Sequence, residues 1–148
     1  MAIAERAAET VWEGPLGSGL GTVRPATGAF SVLAVTWPSR TGPPDGVTSP
    51  EELAAAAHSA CFAMALARQL GARQAVPEVL AVTATVTLEE AGGVPTITSS
   101  ALQVRGRVPG LSASGFQAAV EEAAAVCPVS RLFAGATISV VAALEPGT

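Results

Sequence analysis

The chain has 148 residues, almost half of them hydrophobic, and a net charge of −4 from eight Arg, no Lys and twelve acidic residues. That is apolar material for one sizeable core, and the chain reads as a single domain, 1–148. There is no basic patch or aromatic-interleaved basic run, which argues against a nucleic-acid partner, and no apolar stretch reaches the ~18–20 residues of a membrane span.

Thr10-Val11-Trp12-Glu13 reads as the end of a first strand, followed by a turn at Gly14-Pro15-Leu16-Gly17-Ser18-Gly19. Leu20 to Arg24 is a second strand. Phe30 to Trp37 is a third, apolar on both faces and therefore expected to be covered. Pro38 to Val47 reads as a loop. A helix then opens with Ser49 as N-cap, Pro50 at the first helical position and Glu52 placed for a capping box. From Leu53 to Ala67 only His58 and Ser59 are polar, as expected of a buried central helix. Gly71 is the expected C′ residue after Leu70.

Val79 to Glu90 alternates apolar and polar, Ala91-Gly92-Gly93 is a turn, and Thr96 to Val108 is the return strand of a long hairpin. A second helix follows with Ser112 or Ser114 as cap and runs to Val126. Cys127-Pro128 ends it, and Pro128 can open a short further helix with Cys127 at its cap. Ala136 to Leu144 is a last strand, with Ile138, Val140, Ala142 and Leu144 on one side. Strands, helix, hairpin, helix and strand in that order make an α+β fold with largely antiparallel pairing.

The chemistry-bearing residues are few. Two cysteines are too few for a disulfide scaffold, and an N-terminus without an apolar h-region points to a cytoplasmic protein. Cys61 is either a buried small hydrophobe or a reactive thiol. Reactivity needs the thiolate, hence a lowered pKa. Cys61 lies twelve residues past Ser49, about 18 Å along the helix, beyond the reach of the helix dipole. A cation from elsewhere in the fold is therefore required. Cys127, before a proline at a helix start, is either packed at a break or activated by free backbone N–H groups. His58 lies one turn before Cys61 and either activates it or caps a polar network within the helix. One His and two Cys match no zinc spacing, so no metal is expected. Glu51 is free to pair outward, and Arg40 and Arg24 are the cations nearest in sequence.

The run from Thr48 to Leu66, with His58-Ser59-Ala60-Cys61-Phe62 at its centre, closely resembles the central helix of the OsmC/Ohr family of thiol peroxidases. Cys127-Pro128-Val129-Ser130 resembles the family's second landmark. Val108-Pro109-Gly110-Leu111 also looks like the family, while Trp12-Glu13-Gly14 and Gly19-Leu20-Gly21-Thr22-Val23 look like its OsmC branch. The resemblance implies an intertwined homodimer with antiparallel sheets around a buried central helix. It implies Cys61 as the peroxidatic thiol, oxidised by an organic hydroperoxide or by hydrogen peroxide, and Cys127 as the resolving thiol that closes a disulfide with it. No cofactor is implied, and a dithiol, lipoyl-type in some members, would reduce the pair. The thiolate-stabilising arginine would be Arg40, oriented by Glu51. Arg24 is the nearest candidate for the earlier-loop position that the Ohr branch uses.

Glu51 and Cys61 are ten residues apart on one helix, about 15 Å of rise and about 280° of turn. The Glu51 that serves each Cys61 is accordingly expected from the partner subunit. Three alternatives stand beside a peroxidase: a Cys61/His58 hydrolase, a small-molecule binding module, and a structural stress protein with inert thiols. Phe62, Met64, Phe133 and Leu53 are candidate walls of an apolar pocket around Cys61.

Overall fold

Three short strands build the N-terminal sheet of the protein, seen here in a computed structural model that describes residues 1–147. β1 (Ala8–Glu13) pairs antiparallel with β2 (Leu20–Pro25), and β2 pairs antiparallel with β3 (Leu33–Val35). Gly21 is needed at the centre, because a Cβ there would lie 2.6 Å from Cγ2 of Val35 and 2.9 Å from the Trp12 ring.

The third strand is shorter than expected. Phe30 and Val32 are exposed and unpaired, and the chain leaves the sheet at Thr36 to enter a five-residue helix, α1 (Trp37–Thr41). A capping box causes this. The Thr36 hydroxyl accepts from the amide of Ser39 at 3.1 Å, and the Ser39 hydroxyl accepts from the amide of Thr36 at 3.2 Å. Pro38 stands in the first turn, where its missing N–H costs nothing. The expected loop of Pro38 to Val47 thus begins as a helix, with Arg40 in its last turn.

α2 (Pro50–Ala72) starts as its sequence indicates, the Ser49 hydroxyl accepting from the Glu52 amide at 3.1 Å. The Glu52 carboxylate accepts from the Thr48 hydroxyl at 2.6 Å. The far end differs from expectation. The helix runs through Gly71, and Gln74 takes the left-handed conformation, with φ at 56°. Ala75 N–H donates to the Leu70 carbonyl and Gln74 N–H to the Gly71 carbonyl, both at 3.0 Å. This is a Schellman end with glutamine where glycine is cheaper.

The chain divides into two compact units, Met1–Leu53 and a second from Ala54 onward. In the second, β4 (Val79–Ala91) and β5 (Val94–Arg107) form the long hairpin, antiparallel from Val79 opposite Arg107 to Ala91 opposite Val94. Its two turn residues, Gly92 and Gly93, have φ of 61° and 81°, which suits a type I′ turn. α3 (Ala113–Val126) is capped by Ser112, whose hydroxyl accepts from the Gly115 amide. α4 (Pro128–Leu132) follows with Cys127 as shared cap. β6 (Thr137–Leu144) then returns parallel to β5, an exception to the antiparallel pairing.

Phe62, Leu66 and Leu70 of α2 pack with Leu102, Val104, Phe116, Val120 and Cys127 in one buried cluster. With His58 they form a stripe of every fourth residue. The expectation of burial on nearly every face is corrected within the single chain: Met64 is 74% exposed, since one neighbouring layer covers one stripe. Among the described residues, no helix is long and apolar enough to cross a membrane.

The helix end yields a stability prediction. A Cβ at Gly71 meets nothing within 4 Å. Gly71→Ala and Gln74→Gly should each raise stability by about 0.5–1 kcal/mol in chemical unfolding. Loss of stability in both would contradict the assigned C-terminus.

Candidate active site

Two groups of functional side chains are formed, one in each unit. In the first, α1 and the opening turn of α2 bring Arg40 and Glu51 together. Arg40 Nε donates to Oε1 and Oε2 of Glu51 at 3.0 and 3.2 Å, and Nη2 donates to Oε1 at 2.8 Å. The carboxylate is largely buried and the guanidinium about one-third exposed, stacked 5.9 Å from the Trp37 ring. Such a forked pair fixes the direction of the guanidinium and leaves its remaining N–H donors free to point at another anion. The alternative, Arg24, lies exposed on β2 opposite Glu9 and has no part in this pair. An apolar cavity of about 230 Å³ adjoins Arg40, lined by Trp12, Leu16, Val35, Thr36, Trp37 and Pro50.

In the second unit, Cys61 and Cys127 meet across 66 positions of sequence, with their sulfurs 3.4 Å apart and both thiols free. Cys61 is partly exposed and Cys127 fully buried. Burial raises the Cys61 pKa, a hydrogen bond from the Val129 amide counteracts this in part, and Cys127 raises it further. Burial also pushes Cys127 up, but the Ser130 hydroxyl and amide, Cys61 and the Val129 amide together outweigh it and hold that thiol below its usual value. The groups that shift the Cys61 pKa within its own unit thus include no cation. A cavity of about 310 Å³ opens at Cys61, lined by Met64, Ala65, Arg68, Val126 and Pro128. Of the candidate pocket walls, Met64 lines this cavity; Leu53 is not among its lining residues, Phe62 belongs to the core, and Phe133 forms a T-shaped pair with His58.

His58 does not pair with Cys61. It is fully buried, and both ring nitrogens are taken: Nδ1 lies 2.7 Å from the Ser100 hydroxyl and Nε2 2.7 Å from the Ser130 hydroxyl. Neither nitrogen is left to serve as base for Cys61, so the hydrolase reading loses its catalytic base. The serines are 42 and 72 residues away from His58 in sequence, and the local pattern around the histidine carried no sign of either.

Residues 42–141 match the family model of OsmC-like proteins. Peroxiredoxin OsmC of Escherichia coli (strain K12) is 39% identical over 121 residues, which cover 82% of this chain and 84% of the relative. The chain belongs to the OsmC family. Solved structures similar to this OsmC family member include an organic hydroperoxide resistance protein from Elizabethkingia anophelis with thiocyanate bound. It has a TM-score of 0.74 and 25% identity and covers 99% of each chain. A Vibrio cholerae protein described as an organic hydroperoxide resistance protein, with captopril in one of its active sites, has a TM-score of 0.76 and 26% identity. It covers 97% of this chain and 93% of that one. The α+β fold read from the sequence is thus the OsmC/Ohr fold.

The buried imidazole sets a pH dependence for this OsmC-family chain. Burial lowers the His58 pKa below 6.5. The unfolded chain then takes up a proton near pH 6.5 that the folded one resists, so stability is full above that pH and is lost as pH falls below it. The slope reaches at most about 1.4 kcal/mol per pH unit. Urea unfolding between pH 7.5 and 5.5 should show this loss, and His58→Gln should remove it. An unchanged slope in His58→Gln would assign the effect to other groups.

Proposed function

We propose that this chain is a cysteine-based peroxidase that reduces organic hydroperoxides through a Cys61 sulfenate and a Cys61–Cys127 disulfide. The observation that carries the reading is the 3.4 Å approach of the two thiols. Family membership and the relatives named for peroxide chemistry support it.

In this reading, the Cys61 thiolate attacks the terminal oxygen of ROOH. An S–O bond forms, the O–O bond breaks, and the alcohol ROH leaves with a proton, while Cys61 becomes a sulfenic acid. The Cys127 thiolate then attacks the Cys61 sulfur. The S–S bond forms, the S–OH bond breaks, and the hydroxide takes a proton to leave as water. Two thiols have supplied two electrons, and a dithiol reductant, lipoyl-type by family resemblance, returns them by exchange. The reducing cytoplasm is the compartment in which such a pair is regenerated.

The thiolate of the first step needs a cation, and Arg40 held by Glu51 is the group built to supply it. α2 is one unbroken helix from Pro50 to Ala72, so Glu51 and Cys61 stand about 15 Å apart along its axis. We assign the Arg40–Glu51 pair that serves each Cys61 to the partner subunit of a homodimer. The exposed apolar side of α2, with Met64, is surface that such a dimer would cover.

Mixing the reduced protein with tert-butyl hydroperoxide should consume two thiols per chain, and Cys61→Ser should abolish the loss. No peroxide-dependent loss would overturn the reading. Arg40→Ala should move the pH profile of Cys61 alkylation upward by about 1–3 units, as expected when a neighbouring opposite charge is removed. An unmoved profile would take Arg40 out of the site.

A further inference from the structure

The peroxidase reading uses Cys61, Cys127, Arg40 and Glu51, and leaves one buried titratable group without a task. His58 lies in the core of the second unit between two hydroxyls, themselves 0% and 7% exposed at Ser100 and Ser130. The proton positions in this network follow from counting partners. Among the described residues, Ser100 Oγ has one hydrogen-bond partner, Nδ1 of His58. A buried hydroxyl with one partner donates to it, since an orphaned buried O–H is costly. Nδ1 is then the acceptor, and in the neutral ring the proton sits on Nε2. Nε2–H donates to Ser130 Oγ. That leaves the Ser130 O–H free to donate in turn.

Its neighbour on that side is Cys127. Cys127 is the N-cap of α4 and Ser130 is the third residue of that helix, the position that an N-cap side chain faces. The Phe133 ring packs on the imidazole in a T-shaped pair, with 5.2 Å between centroids and 85° between the ring planes. The groups that face Cys127 are Cys61 from α2 and the Val129 amide, the Ser130 amide and the Ser130 hydroxyl from α4.

We propose that His58 is a positioning residue for the resolving step: it holds the Ser130 hydroxyl so that its O–H donates to the sulfur of Cys127. The inference rests on the peroxidase reading for the role of Cys127, though not for the geometry. A donated hydrogen bond stabilises sulfur as thiolate and not as thiol, and only the thiolate attacks a sulfenic acid. The lowered Cys127 pKa has the Ser130 hydroxyl among its causes and agrees with this direction. In the step itself, Cys127–S⁻ attacks Cys61–S–OH, the S–S bond forms, and the departing hydroxide leaves as water with one proton from solvent. His58 and Ser130 neither gain nor lose a proton overall.

The test reads Cys127 directly and without peroxide. In a Cys61→Ser background, the rate of iodoacetamide alkylation at Cys127 is followed against pH. Ser130→Ala should raise its midpoint by about one pH unit, roughly tenfold less thiolate at a fixed lower pH. Ser130→Thr, which keeps the hydroxyl, should restore the profile. His58→Gln, which keeps a donor and an acceptor, should give a smaller rise than Ser130→Ala. An unmoved midpoint in folded Ser130→Ala overturns the proposal, as does a Thr variant that behaves like Ala. Because no peroxide is present, failure of the peroxidase reading would leave these outcomes readable. With both cysteines present, disulfide closure after a single peroxide pulse should slow about tenfold in Ser130→Ala. Unchanged closure would equally overturn the proposal.

Discussion

A thiol placed in the middle of a long helix lies beyond the reach of the helix dipole, and the rest of the proposed site is arranged around that lack. Cys61 lies in a 23-residue helix, well past the first turn where the helix dipole acts. Burial raises its pKa, and the nearby Cys127 sulfur raises it further. The position brings a benefit in exchange. The thiol is anchored by a stripe of His58, Phe62, Leu66 and Leu70 that packs into the core, so its sulfur stays within 3.4 Å of Cys127. The helix thus secures geometry and gives up electrostatics, and in the proposed mechanism the cation comes from the Arg40–Glu51 pair.

The Arg40–Glu51 pair, which meets that demand in the proposed mechanism, has local structure of its own. A threonine–serine capping box turns the chain out of the N-terminal sheet and into a helix of five residues, and this helix carries Arg40 to the first turn of α2. Glu51 is held close to a helix N-terminus that favours its charge, and it takes both Nε and Nη2 of the guanidinium. Two cysteines of one chain are therefore treated differently. Burial and Cys127 hold the Cys61 pKa up, while Cys127 is served by neutral donors from its own short helix.

Much of this was legible in the sequence wherever the signal is local. The alternation from Val79 to Glu90, the glycine pair at 92 and 93, and the strand after it gave the hairpin. Ser49-Pro50 marked the start of α2, and Cys127-Pro128 marked the start of α4. Family resemblance, not periodicity, brought Arg40 and Glu51 together. What could not be read has physical reasons. A helix as short as α1 shows no 3.6-residue period, and its capping box straddles the end of the expected strand, at Thr36, and the start of the expected loop, at Ser39. α2 runs past Gly71 and closes at Gln74, whose left-handed conformation lets the amides of Gln74 and Ala75 bond to the Gly71 and Leu70 carbonyls. The partners of His58 come from β5 and α4, and no spacing near residue 58 encodes them.

The central claim is that each Cys61 is ionised by the Arg40–Glu51 pair of the other subunit. It is tested most directly by complementation between two inactive variants, Cys61→Ser and Arg40→Ala. When the two are co-expressed and the mixed dimers isolated, a site shared between subunits gives each mixed dimer one intact pairing, Cys61 of one chain with Arg40 of the other. The account predicts recovery of peroxide reduction in the mixed dimer while both parent homodimers stay inactive. A mixed dimer as inactive as its parents would contradict it.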